Sequence, residues 1–172
     1  WGGSAFKFGI FHRKDLSDKT NHLSHSNLYD DEYGWAKKYG DQRDIAFQNV
    51  RSIIMELVTC AQNGDFDKIE EIDFSPTMKW KIAFLYQSNE VQKIPCIYSK
   101  KMLKGIAQQF GKNSDRKTTQ LELYDFLLKQ RKPDEDIFDF SERLWSMKPP
   151  QKMSVNPSTS QQSIDTSKTQ TL

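Results

Sequence analysis

From Asp41 onward, apolar residues recur at spacings of three and four, the period of helices that each bury one face. Phe47, Val50, Ile54, Leu57, Val58 and Ala61 make one broad stripe, widened by Ile53 and Cys60. Gly40-Asp41 is expected to open this longest helix, with Asp41 as its cap and Asp44 in its first turn, and Asn63-Gly64 to end it. Phe66, Ile69 and Ile72 predict a short helix capped by Asp65. The stretch from Ile72 to Gln87 is the one around which the others are arranged. Ser75 reads as its N-cap and Pro76 as its first helical residue, where the missing N–H is no loss. Met78, Ile82, Leu85 and Tyr86 share one face, while Trp80 and Phe84 fall on another. Apolar groups on two faces predict a helix packed on both sides. Lys79 and Lys81 are expected to snorkel outward.

Three more helices follow by the same argument. Ser99 caps one that buries Met102, Leu103, Ile106, Ala107 and Phe110 and stops at Gly111. Thr118 or Thr119 starts the next, with Leu121, Tyr124, Leu127 and Leu128 in register and Leu123 and Phe126 broadening the face. After the break at Lys132-Pro133, Asp134, Glu135 and Asp136 crowd the first turn of the last helix, where the dipole favours acids. Ile137, Phe138, Leu144 and Trp145 are its apolar groups, and Pro149-Pro150 ends the folded part. Loose alternation predicts a minor strand over residues 5–11, and the β-branched KIPCIY run predicts another over 93–98, at an edge because of Pro95. Residues 14–31 read as a polar loop. The expected fold is mainly α: a compact multi-helix domain with one or two minor strands and a disordered C-terminal tail. Its divisions are an N-terminal strand and polar loop over 1–32, a helical domain over 33–148, and a linker or tail over 149–172 too polar to offset its ordering entropy. Beginning at Trp1 rather than methionine leaves room for a portion upstream of the 1–32 segment.

Composition narrows the function. The 172 residues are 36% hydrophobic and 28% charged, with a net charge of +2, short of the strong basic field of a dedicated nucleic-acid binder. Cys60 and Cys96 sit among apolar neighbours and read as free thiols of a reducing, cytoplasmic setting. No apolar run approaches the roughly 18 residues of a membrane span, and no signal peptide is visible. His22 and His25, followed by Asp30, Asp31 and Glu32, have the spacing of a partial metal site but too few ligands, so no metal is assigned. No phosphate-cradling G-x-x-x-x-G-K-[ST] loop is present, and no nucleophile motif. Pro133-Asp134 matches the opening of a PD-(D/E)xK nuclease site, but Ser141-Glu142-Arg143 does not supply the acidic-x-Lys, and helix capping accounts for the acids. No catalytic residue is assigned. The best local candidate for nucleic-acid contact is YGWAKKY, residues 33–39, where aromatics interleave with lysines in the manner of a stacking platform beside phosphate ligands. Trp35, Lys37, Lys38, Tyr39 and Arg43 are the candidate contact residues.

Three stretches, YGWAKKYGDQRDIAFQNVRSII, IDFSPTMKWKIAFLYQ and DIFDFSERLW, together resemble the region preceding the NTPase domain in McrB-like proteins, the AAA+ subunits of modification-dependent restriction systems. The resemblance covers residues 33–148, and KWKIAFLYQ is its most specific part. The terminal KTQTL, Lys168 to Leu172, is similar to the approach to a Walker A strand in that family, so a chain truncated just before the motor is expected. The resemblance implies a non-catalytic DNA-recognition or accessory region, reading DNA with modified bases or spacing a reader from the motor. It implies GTP or ATP and Mg only in the full-length family, with no cofactor in these residues, and an AAA+ hexamer and a nuclease subunit as partners. The alternative, drawn from the near-neutral charge, is a helical protein-interaction or adaptor module that does not bind DNA.

Overall fold

A computed structural model describes residues 7–13 and 26–147. The expected strand around residues 5–11 is displaced to β1 (Ile10–His12). The polar stretch expected as a loop contains a second short strand, β2 (Asn27–Tyr29), and the aromatic-lysine segment begins with a third, β3 (Tyr33–Ala36). β3 is the centre of an antiparallel sheet, with order β1-β3-β2. Register explains the residues. Trp35 stands opposite Ile10 on one side and Leu28 on the other, and these face the core. Gly34 stands between Phe11 and Tyr29, whose rings meet edge-on at 6.3 Å. A Cβ on Gly34 would lie 2.6 Å from Phe11 Cζ and 2.8 Å from Tyr29 Cδ1, so glycine is what lets the two rings close over the strand.

A 3-10 turn (Lys37–Tyr39) leads from the sheet to α1 (Arg43–Asn63). Asp41 does not cap α1; the N-cap position is Gln42, with no side-chain bond. Ala46, Val50, Leu57, Cys60 and Ala61 make the buried line. Phe47, expected in it, is about a hundred degrees off that line at one residue past Ala46, and is 51% exposed. Gly64 closes the helix as expected, at φ 77°, with its N–H on the Ala61 and Cys60 carbonyls.

The short α2 (Phe66–Glu71) then turns the chain into α3 (Pro76–Tyr86). α3 is the central helix: it makes its broadest packing against α1 and buries Met78, Lys79, Trp80, Ile82 and Ala83. Trp80 is fully buried, edge-on to Tyr124 at 5.2 Å. Three details depart from the sequence reading. Leu85 and Tyr86 are exposed, while Phe84 in the same turn packs on Tyr98 and Phe138. Ser75 sits at the N-cap but its hydroxyl makes no cap bond. Lys79 does not snorkel: its ammonium turns inward and donates to the Glu70 and Ile72 carbonyls at 2.6 and 3.0 Å. Those carbonyls belong to the C-terminal end of α2, where a cation meets both orphan acceptors and the negative end of the dipole. Burial pulls the Lys79 pKa below its ordinary value.

α4 (Lys100–Gln109), α5 (Gln120–Leu128) and α6 (Ile137–Ser146) complete the bundle. Ser99 Oγ caps α4, and Thr119 with Glu122 forms a reciprocal capping box on α5. Of the three acids before α6, only Asp136 caps it, accepting the Phe138 N–H at 2.7 Å. Glu135 instead accepts from Nε and Nη2 of Arg143 at 2.6 and 2.7 Å, and that bidentate pair holds its carboxyl down at about 2.

Residues 93–98 form no strand. Pro95 lacks the ladder N–H, the Ile97 N–H turns back to the Pro95 carbonyl at 2.7 Å, and side chains take most of the other backbone groups. Gln87 Oε1 accepts the N–H of Lys93 and of Ile94, each at 2.9 Å, and Ser141 Oγ accepts that of Cys96 at 2.9 Å. Tyr124 donates to the Ile97 carbonyl at 2.8 Å, and Gln120 to that of Tyr98 at 3.1 Å. Ile94 and Ile97 are thereby sunk into the core of a mainly helical domain. The tail expected over 149–172, the lead-in Gly2-Gly3, and His22 and His25 lie outside the described residues. Among the described residues no helix is long and apolar enough to cross a membrane.

Candidate nucleic-acid interface

The five candidate residues are brought together by the passage from β3 through the 3-10 turn into α1, but not as a platform. Because residues alternate across a strand, Trp35 points to the core side of β3. It is 4% exposed, and its indole N–H donates to the Gly40 carbonyl at 2.9 Å. Tyr39 turns inward as well: it is 6% exposed, its ring lies 6.3 Å from that of Phe74, and its carbonyl accepts the Asn49 side-chain amide at 2.8 Å. Neither ring offers a free face to a base in this conformation. The aromatic–lysine interleaving is the mark of a strand and turn with rings inside and cations outside.

The three cations differ in what surrounds them. Lys38 pairs with Asp73 at 2.8 Å, and its ammonium lies 4.9 Å from the Tyr39 ring centroid. Partial burial works against its charge, yet the Asp73 hydrogen bond and the neighbouring Tyr39 leave its pKa raised. Arg43 is ringed by acids: Asp30 at 3.2 Å, Asp44 at 3.3 Å and Glu32 at 3.8 Å. Its guanidinium also rests over the Tyr33 ring, 5.4 Å from the centroid. Desolvation works to raise Asp30, but its carboxylate accepts the N–H groups of Tyr33 and Glu32 at 2.6 and 2.9 Å and faces Arg43, which together hold its pKa low. The shallow cavity of about 290 Å³ beside Arg43 is lined by Asp30, Asp41 and Asp44 as well, the wrong sign for a phosphate. Lys37 alone of the five projects an exposed charge that no described carboxylate neutralises.

A second cationic region lies on α4 and the loop after it, and none of its residues belongs to the candidate set. Its signal is compositional: between Ser99 and Thr118, Asp115 is the only acid. Beside that loop, an open cavity of about 640 Å³ mixes Lys112 and Lys129 with Asp115, Glu122 and Asp125. Asp115 and Glu122 there are already engaged in turn and cap bonds, so the cavity has no convergent set of free acids for a cation. Compared with known protein families, with curated proteins and with solved structures, the chain has no significant match in any of the three.

Proposed function

We propose that the chain is a non-catalytic DNA-recognition or accessory region of a McrB-like AAA+ restriction NTPase. The observation that carries this reading is the packing of the three resembling stretches into one body. β3 and the turn deliver the chain to α1, α1 packs most broadly on α3, and Phe84 of α3 meets Phe138 of α6 edge-on at 5.7 Å. A resemblance spread over segments far apart in sequence gains weight when those segments share a core. In this reading GTP or ATP with Mg, the AAA+ hexamer and the nuclease subunit belong to the wider assembly, and these residues bring DNA to it. A cytoplasmic setting is part of the proposal, supported by the two free thiols, Cys60 and Cys96. The test is binding of the purified chain to methylated and plain duplex at low salt. Salt-sensitive affinity for either is the expected result; binding to neither would remove direct DNA reading and leave only a spacer role.

A second reading, a protein-interaction module, is favoured by one observation. Phe138 and Trp145 lie two turns apart on the outer side of α6 and are 60% and 44% exposed. Concentration-dependent self-association in sedimentation, abolished by Phe138→Ser, would move this reading ahead of the first.

A further inference from the structure

Between Ser99 and Thr118 the sequence carries Lys100, Lys101, Lys104, Lys112, Arg116 and Lys117 against the single carboxylate of Asp115, a formal +5 in a chain whose total is +2. The fold gathers this charge. Lys104 donates to the backbone carbonyl of Asp115, which ties the outer side of α4 to the loop carrying Arg116 and Lys117. The one acid of the segment is turned into its own loop: its Oδ1 accepts the N–H of Lys117 at 2.9 Å, the N–H of Thr118 at 2.8 Å and the Thr118 hydroxyl at 2.9 Å. Glu122 and Asp125 of α5 border the cavity beside it, Glu122 taken up by the Thr119 N–H. Lys101, Arg116 and Lys117 are exposed, and among the described residues none of the six cations is in an ion pair. This is the reverse of Arg43, whose charge is spent on three carboxylates.

The kind of polyanion follows from what else the surface holds. Among the described residues the exposed large apolar side chains are Ile45, Phe47, Met55, Leu85, Tyr86, Val91, Phe138 and Trp145, and none lies between Gln92 and Ile137. Protein partners are anchored by buried aromatic and aliphatic groups, which α4 and the 112–117 loop do not themselves expose. Single strands are held by stacking on open rings; Phe110 and Phe126 are half-buried, and Phe126 is covered by the Lys112 ammonium 5.1 Å from its centroid. A duplex backbone asks only for cations and neutral donors, and exposed Gln108 and Asn113 supply the latter.

We propose that α4 and the 112–117 loop form a docking surface for the phosphate backbone of duplex nucleic acid, held without regard to base sequence. The proposal rests on the DNA-binding reading above and moves its contact from the sheet side to α4. Counterion release sets its test: each cation withdrawn from a phosphate should lower the slope of log affinity against log salt by about 0.9. The full chain, a Lys101→Gln, Arg116→Gln, Lys117→Gln variant and a Lys37→Gln, Lys38→Gln variant would be titrated with a short fluorescent duplex of arbitrary sequence, at several salt concentrations. Unchanged thermal midpoints would verify folding of both variants. The expected result is a loss on the order of tenfold to a hundredfold in the triple variant at low salt, a slope reduced by about 2 to 3, and little change in the double variant. Equal binding by the triple variant and the unaltered chain would overturn the α4 surface while leaving DNA binding in place. Failure of the unaltered chain to bind at all would overturn both. Polyglutamate binding as tightly as duplex, at equal charge concentration, would overturn the assignment to phosphate in favour of an acidic protein.

Discussion

The β3–α1 junction and the seam around residues 93–98 solve the same problem, satisfying irregular backbone, in opposite ways. At the junction the rings go inside and backbone pairing across β3 does most of the work; two side chains, Trp35 and Asn49, hold the turn carbonyls of Gly40 and Tyr39, and the ions outside are exchangeable pairs. At the seam the backbone has no ladder. Apart from the Ile97 N–H, which meets the Pro95 carbonyl, its bonded N–H and C=O groups end on Gln87, Ser141, Gln120 and Tyr124, side chains drawn from three helices or their edges. Hydrogen bonds spread over a ladder can be lost one at a time. Bonds concentrated on a few buried side chains cannot, because each deletion strands a backbone group away from water. The seam should therefore be the brittle half of the molecule and the junction the tolerant one.

The strongest way to break that contrast is Trp80→Ala, which removes the ring that backs Tyr124 and opens a cavity in the centre of the bundle. A loss of about 3–5 kcal/mol in chemical denaturation is expected. Ser141→Ala removes a single oxygen but leaves the Cys96 N–H without its acceptor. A loss of about 1–3 kcal/mol is expected, with accelerated amide exchange confined to residues 94–98. Trp35→Phe at the junction keeps most of the ring and gives up only the bond to Gly40, so about 0.5–1.5 kcal/mol should suffice. Lys38→Ala breaks a pair whose side chains are 47% and 87% exposed and should cost no more than about 1 kcal/mol, shrinking further in salt. If Lys38→Ala proved costlier than Ser141→Ala, the contrast between the two regions would be wrong.

Acid offers a finer probe of the seam through α6, the helix that supplies Ser141. Glu135 is held at about 2 by its hydrogen bonds from Arg143, below its ordinary 4.5. A carboxyl depressed on folding contributes stability that is complete above the ordinary pKa and is lost as pH falls toward the folded one. Stability should therefore decline between about pH 4.5 and about pH 2. An Arg143→Gln chain, titrated by near-ultraviolet dichroism, should have a shallower decline across that window than the unaltered chain.

The helices were legible because their signals are local. Gly64, Ser99, Thr119 with Glu122, and Asp136 mark ends by bonds that reach no further than one turn. What was not legible depends on partners distant in sequence. Strands of three or four residues are too short to establish an alternation, so β2 is hidden in a polar stretch and YGWAKKY reads as an open platform, whereas the register with Ile10 and Leu28 turns Trp35 inward. KIPCIY has the composition of a strand, but its fate was decided by Ser141 and Tyr124, which no local pattern reveals. Lys79 departs from expectation for the same reason, since an exposed lysine and one that caps a neighbouring helix have identical surroundings in sequence. The charge run on α4, by contrast, needed only counting; a chain average of +2 obscured it.

Lys79 also gives the molecule an internal clock. Amine-acylating reagents reach exposed lysines directly, whereas the Lys79 ammonium, at 6% residue exposure and donating to two carbonyls, must first leave the end of α2. Its labelling rate, read by mass spectrometry against that of Lys101 on the same chain, would report how often the α2–α3 contact parts, without any probe having been introduced.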